Sequence, residues 1–206
     1  MPLVLASASP ARLGVLRAAG LDPLVEVSDV DEDAVLAGLP PQAASAQVTA
    51  LAAAKAGTVA NRVADSYHDA LVIGCDSMLL LDGVLVGKPR DAAEARTRWQ
   101  AMAGGTGELL TGHAVLRLGG GEVTGSATDH AATTVHFGRP SNAELDAYLA
   151  TGEPLAVAGA FTLDALGGWF VERIEGDASN VIGISLPLTR RLLADVGITV
   201  TDLWSH

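Results

Sequence analysis

The chain has 206 residues, of which 49% are hydrophobic, 18% charged and 4% aromatic. That balance excludes a disordered chain, and the 23 glycines show no triplet period, which excludes a collagen helix. The formal charge is −11, with 8 basic and 12 acidic residues up to Ala103 and 5 and 12 beyond it. Neither half carries the basic surface that grips a phosphate backbone, so no nucleic-acid partner is expected.

The single cysteine, Cys75, allows no intramolecular disulfide and fits a reducing compartment. The start lacks a charged segment ahead of its apolar run. The longest uncharged stretch, Ala34 to Ala54, is interrupted by Pro40, Pro41, Gln42 and Gln47. The expectation is a cytoplasmic protein with no signal peptide and no membrane span. The length suits one domain spanning residues 1–206.

Leu3 to Ala6 reads as a short buried strand. Ser9 followed by Pro10 opens a helix that Gly20 ends. Leu24 to Ser28 reads as a second strand, running into the acidic turn Asp29 to Asp33. Pro40 and Pro41 open an alanine-rich helix to about Val59. Leu71 to Cys75 is a buried strand with Met78 to Leu81 close behind it, and Asp82-Gly83 signals a hairpin returning through Val84 to Val86. Asp91 caps a helix whose apolar face holds Ala95, Trp99 and Met102.

Glu108 to Leu118 and Glu122 to Phe137 are long strands joined by three glycines. Ser141 to Glu144 is a capping box for a helix to about Ala150. Phe161 to Ile174 is strand-like but broken by Gly167-Gly168, and Pro187 to Val196 is a last helix stopped by Gly197. Strand and helix alternate and then give way to hairpins, so the fold class is α/β with a mixed twisted sheet flanked by helices.

Five places in this pattern have residues suited to chemistry. Ser7, Ser9 and Arg12 surround a strand-to-helix turn, where unpaired N–H groups and the helix dipole favour a phosphate. The same pattern describes a capped helix with one solvated arginine, the commoner case. Asp76 follows a buried strand at the carboxyl edge, where α/β sheets place ligands, and suits either a metal ligand or a base for water. A turn aspartate capping a backbone N–H is the alternative.

Lys88, in Gly87-Lys88-Pro89, follows the hairpin begun near Asp76, and would otherwise be a lone surface lysine. Lys55 is the one charge between Ala34 and Arg62, placed either to reach an anion across small neighbours or merely to solubilise. The run Asp29, Asp31, Glu32, Asp33 offers oxygens to a hard cation, unless it is only a solvated turn. No zinc spacing, P-loop or esterase elbow occurs.

Leu5-Ala6-Ser7-Ala8-Ser9-Pro10-Ala11-Arg12, Val30-Asp31-Glu32, Ala53-Ala54-Lys55-Ala56, Gly74-Cys75-Asp76-Ser77, Gly87-Lys88-Pro89 and Thr111-Gly112-His113 follow one another in that order. Ala158 to Phe161, Ile174-Glu175-Gly176 and Ser179 to Gly183 come after them. This ordered set resembles the Maf-like proteins from Leu3 to about Val196. The resemblance implies an α/β fold related to inosine-triphosphate pyrophosphatases, with two lobes around a central cleft.

It also implies a homodimer that uses a divalent metal (Mg, Mn or Co) to cleave nucleoside triphosphates into monophosphate and pyrophosphate. Asp76 matches the family's catalytic aspartate, as proton acceptor or metal ligand. Ser7, Ser9, Arg12, Lys55 and Lys88 match substrate-binding positions, and Glu32 matches an acidic position near the metal. The family name also carries an association with cell division, so a nucleotide-sensing regulator without turnover is the alternative.

Three positions depart from the family's specificity patterns. Ala11 stands where relatives acting on thymidine and uridine triphosphates have arginine, and those favouring methylated guanosine triphosphate have tryptophan. Ser77 replaces threonine or glutamine, and Asp164 replaces glutamine or glutamate. An ionised aspartate only accepts hydrogen bonds, so Asp164 favours a base presenting N–H donors, such as guanine.

Overall fold

The computed structural model describes residues 1–40 and 43–204. Its elements in chain order are β1 Leu3–Leu5, α1 Pro10–Ala18, β2 Leu24–Val25, α2 Glu32–Ala37, α3 Ala44–Val63, β3 Ala70–Leu81, β4 Val84–Val86, α4 Ala92–Met102, β5 Thr106–Gly119, β6 Glu122–Phe137, α5 Asn142–Ala150, β7 Val171–Glu175, α6 Ala178–Ile182 and α7 Leu186–Asp195. The strands form one seven-stranded sheet in the order β2-β1-β3-β5-β6-β7, with β4 paired to β3. Strand β1 runs parallel to both β2 and β3, while β3–β4 and β6–β7 are antiparallel. The sheet is therefore mixed, as expected from sequence.

The chain divides into two compact units. The first comprises residues 1–76, 111–131 and 183–206, and the second residues 77–110 and 132–182.

In the first unit, strand alternation sorts side chains onto two helical layers. Leu3 and Leu5 of β1, with Leu71, Ile73 and Cys75 of β3, pack against Leu16 of α1 and Leu188, Leu192 and Leu193 of α7. Val4, Ala70 and Val72 take the opposite face, against Ala52, Ala56, Val59 and Val63 of α3. The approach on that face is close. A Cβ on Gly74 would fall on the Ala52 carbonyl oxygen, and one on Gly112 of β5 would fall on the Val48 backbone. Glycine is required at both positions because the helix backbone lies directly on the strands.

In the second unit, Trp99 of α4 is fully buried and makes edge-to-face contacts with Phe137, Tyr148 and Phe170 at 5.8–6.0 Å. Its indole N–H donates to the Ala160 carbonyl at 2.7 Å, so the largest buried side chain leaves no polar atom unmet.

Several boundaries differ from the sequence reading. Val25 ends β2, and its residues are exposed, because Arg62 takes the carbonyls of Val27 and Ser28 that a longer strand would pair. The acidic segment is not all turn: Asp31 caps α2 by accepting from Ala34 N at 3.0 Å. The long helix begins at Ala44 instead of the prolines; Pro41 lies outside the described residues. The two short strands around Asp76 are one continuous strand, β3.

Phe161 to Ile174 is irregular up to Ala165, a 3-10 turn over Leu166–Phe170, and strand only from Val171. A Cβ on Gly167 would strike Tyr148 Oη and Thr162 N, and one on Gly168 the Leu163 carbonyl. Those glycines mark tight folding of a loop. The capping box at Ser141, the Asp91 cap and the Asp82-Gly83 turn (φ 47° and 81°) are as expected.

Candidate active site

Four charged residues named from sequence meet in the first unit. Alternation along β3 puts Asp76 on the face shared by Ala70, Val72 and Gly74, the face that α3 covers. On α3, Lys55 lies one turn from both Ala52 and Val59, so it points to the same layer. Its Nζ stands 2.5 Å from Asp76 Oδ1 and 2.6 Å from Glu32 Oε1. Glu32 is the first residue of α2, which packs on α3. A run of four acidic residues thus sends one carboxylate into the site, while its neighbour Asp31 is spent on the cap.

Asp76 is only 5% exposed, and its Oδ2 accepts no hydrogen bond. Burial pushes its carboxyl above the usual carboxylate range, with Lys55 and then Arg12 offsetting part of that rise. A buried carboxylate raised toward neutrality is a better proton acceptor than one in water. Beside it, burial pushes the Cys75 thiol up to about 11, so that sulfur is an inert core group.

Arg12 is not a solvated cap neighbour. Its Nε donates to the Gly183 carbonyl at 2.8 Å, and its Nη1 donates to Ser7 Oγ and to the Cys75 carbonyl, both at 2.9 Å. One guanidinium thus ties the end of β1, the peptide before Asp76 and the turn leading into α7. Ser7 Oγ also accepts from Ser9 N at 3.2 Å. Ser9 caps α1 by accepting from Arg12 N at 3.4 Å, with Pro10 at the first helical position as the sequence indicated. Ser7, Ser9 and Arg12 are therefore brought together, with Ala11 beside them in the first turn of α1.

Ser77, Lys88 and Asp164 belong to the second unit. Ser77 continues β3 and is half-buried, whereas Lys88 and Asp164 are exposed. Both of the latter sit on loops held by groups that sequence reasoning missed. The Gly87 carbonyl accepts from Arg98 Nη1 at 2.5 Å and from Gly159 N at 3.1 Å, which fixes the backbone next to Lys88. Glu153 holds the Asp164 loop: Oε1 accepts from Thr162 Oγ1 at 2.6 Å and Gly167 N at 3.0 Å, and Oε2 from Leu166 N. Burial pushes the Glu153 carboxyl up, but these bonds, Thr162's first, outweigh it and leave it below the usual range.

His113 is named within its motif from sequence but is given no role there. It is fully buried on β5, accepts from Ser185 N at Nε2 (2.8 Å), and lies with Nδ1 3.0 Å from the Thr111 carbonyl. Those bonds require the neutral ring with its proton on Nδ1. The available signal was a polar ring between the apolar pairs Leu109-Leu110 and Ala114-Val115.

Among the described residues, no three His, Cys, Asp or Glu side chains gather as a protein-only metal cage. Also among them, no helix is long and apolar enough to cross a membrane.

With this fold and this clustering of the motif residues, the chain belongs to the Maf-like family, whose model (Maf-like protein) matches residues 2–196. It is 66% identical over 205 residues to a protein of Nocardia farcinica named nucleoside triphosphate pyrophosphatase, covering 99% of this chain and 97% of that one. A protein of the same name from Rhodococcus jostii is 64% identical (98% and 95% covered), and one from Mycolicibacterium smegmatis 60% identical (98% and 97% covered).

Proposed function

We propose that this chain hydrolyses the α–β phosphoanhydride of nucleoside triphosphates, releasing a nucleoside monophosphate and pyrophosphate. The observation that carries the reading is Asp76: a buried carboxylate with one oxygen on Lys55 and the other unpartnered, on a scaffold whose relatives at 57–66% identity are named for this activity. Asp76 accepts a proton from water as the water oxygen bonds to the α-phosphorus. The bond from that phosphorus to the bridging oxygen breaks, and the electron pair leaves with pyrophosphate. Lys55 offsets phosphate charge, Arg12 keeps the peptide before Asp76 fixed, and Ser7 and Ser9 offer hydroxyls beside the α1 terminus.

The donor set also suits a hard divalent cation such as Mg, Mn or Co. Magnesium is usually bound by one or two carboxylates and completed by water and substrate oxygens. Glu32 and Asp76 are the residues that would hold it, Asp76 through the oxygen that does not take the water proton. When bound it would neutralise charge on the phosphates. Lys88 is proposed as a further phosphate ligand, with Ala11, Ser77 and Asp164 setting base preference. This part of the proposal rests on the family pattern. The reading also includes a homodimer, which light scattering tests directly.

The decisive experiment is a nucleotide panel with magnesium, manganese or cobalt, scoring pyrophosphate against orthophosphate. Pyrophosphate release is expected, lost in Asp76→Asn while nucleotide binding remains. Orthophosphate as the product, or binding without turnover, overturns the proposal.

A further inference from the structure

The charges at Asp76 form a bridge in which one ammonium serves two carboxylates. The Lys55 side chain is 12% exposed and that of Asp76 8%, but that of Glu32 is 47% exposed, so the bridge is dry on one side and open on the other. Asp76 Oδ2 is buried and accepts no hydrogen bond. A buried oxygen without a donor is unfavourable, and in native structures such a group has a reason, such as a catalytic role or an ion. Two facing carboxylates with an open side are what a divalent cation takes. In this structure the space between those carboxylates is filled by the Lys55 ammonium.

We propose that Lys55 is the resident counter-ion of the Glu32–Asp76 pair, that it excludes a free divalent cation, and that it yields the pair only when nucleotide phosphates accept its ammonium. The inference rests on the pyrophosphatase reading for its nucleotide. The charge balance supports it. With Lys55 in place, the pair presents one net negative charge and a cation at its centre. With the ammonium transferred to phosphate, it presents two. The metal therefore enters with the nucleotide and not before it, and Lys55 sets that order. This gives Lys55 a role beyond neutralising substrate charge, because it holds the two carboxylates to one ammonium.

The test uses Mn²⁺ alone, followed by the electron paramagnetic resonance signal of the free ion. Without nucleotide, Lys55→Gln is expected to bind Mn²⁺ at least about tenfold more tightly than the unsubstituted protein, because a cation has been removed from beside the metal. Adding Glu32→Gln to that variant should abolish the gain. Equal or weaker binding by Lys55→Gln overturns the proposal, as does a gain that survives Glu32→Gln. Should the variant not fold, the unsubstituted protein decides. Mn²⁺ alone should leave its melting temperature unchanged, whereas Mn²⁺ with a non-hydrolysable triphosphate should raise it. A rise with Mn²⁺ alone overturns the idea. Failure of the pyrophosphatase reading is separate, since it shows as absent pyrophosphate whatever the metal titration gives.

Discussion

Gly74→Ala tests whether packing of α3 on β3 sets the site. A Cβ at residue 74 would fall on the Ala52 carbonyl and stand 2.9 Å from both Ala56 Cβ and Ala56 N. The tightest contact is with the Ala52 oxygen. Ordinary contacts lie at about 3.5–4.0 Å, so the helix must retreat by roughly 1–1.6 Å. Overpacking of this kind costs about 1–3 kcal/mol. In a chain of this size that lowers the melting temperature by about 2–12 °C.

Lys55 precedes Ala56 on that helix, so the retreat draws its ammonium from Asp76 Oδ1, now 2.5 Å away. A misplacement of about 1 Å can cost about 10²-fold in turnover. Gly57→Ala is the matched control, because nothing lies within 4 Å of its added Cβ. There alanine should stabilise by about 0.5–1 kcal/mol through helix propensity and leave turnover intact. Thermal unfolding and steady-state pyrophosphate release on the same preparations read both effects. A Gly74→Ala protein that melts and turns over like its parent refutes the reasoning, and so does a Gly57→Ala protein damaged to the same degree.

Arg12→Lys should lower kcat by about 10–10²-fold, because one ammonium cannot serve the acceptors on Ser7, Cys75 and Gly183 that the guanidinium spans; steady-state kinetics measure it. Glu153 ionises more readily folded than unfolded, so its stabilisation is present above its ordinary value of 4.5 and is lost as pH falls through its lower folded value. Glu153→Gln should flatten that part of the acid limb in melting curves taken across pH, and an unchanged limb would show the carboxylate to be incidental. Asp164→Gln should move base preference from guanine toward uracil and thymine nucleotides, since an amide donates as well as accepts. A parent enzyme that already prefers dTTP and UTP would end that argument.

Local rules carried the helix ends well. Ser9, Asp91 and Ser141 each accept from a backbone N–H three residues on, and short-range chemistry of that kind depends on little else. Ser185 does the same for α7, a cap that the reading from Pro187 passed over. The failures lie where distant groups compete for the backbone. Leu24 to Ser28 is apolar enough for a strand, but the guanidinium of Arg62, more than thirty residues away, claims its last carbonyls. Phe161 to Ile174 looks extended in composition, yet Glu153 gathers its hydroxyl and amide donors into a loop. No periodicity within either segment records those partners. His113 and the glycines at 74 and 112 were visible as residues but not as contacts, because their meaning depends on which helix lies over the strand.

The acidic run from Asp29 to Asp33 shows why the site was only half legible. Its four carboxylates share composition and neighbourhood, and hard-cation chemistry suits all of them. The fold gives them different work. Asp29 takes a left-handed backbone conformation 3.9 Å from Arg62, Asp31 caps α2, Asp33 lies in the first turn near the helix dipole, and Glu32 alone reaches Lys55. What separates Glu32 from the rest is helix phase: once Asp31 fixes where α2 begins, the next residue is the one whose side chain meets α3. The same logic selects Asp76. Its partner face follows from the alternation of Ala70, Val72 and Gly74, a pattern present in the sequence, but it becomes chemistry only because Gly74 and Gly112 let α3 sit close enough for Lys55 to reach. Two glycines beneath α3 therefore decide whether a lysine and two carboxylates are a site or three separate charges.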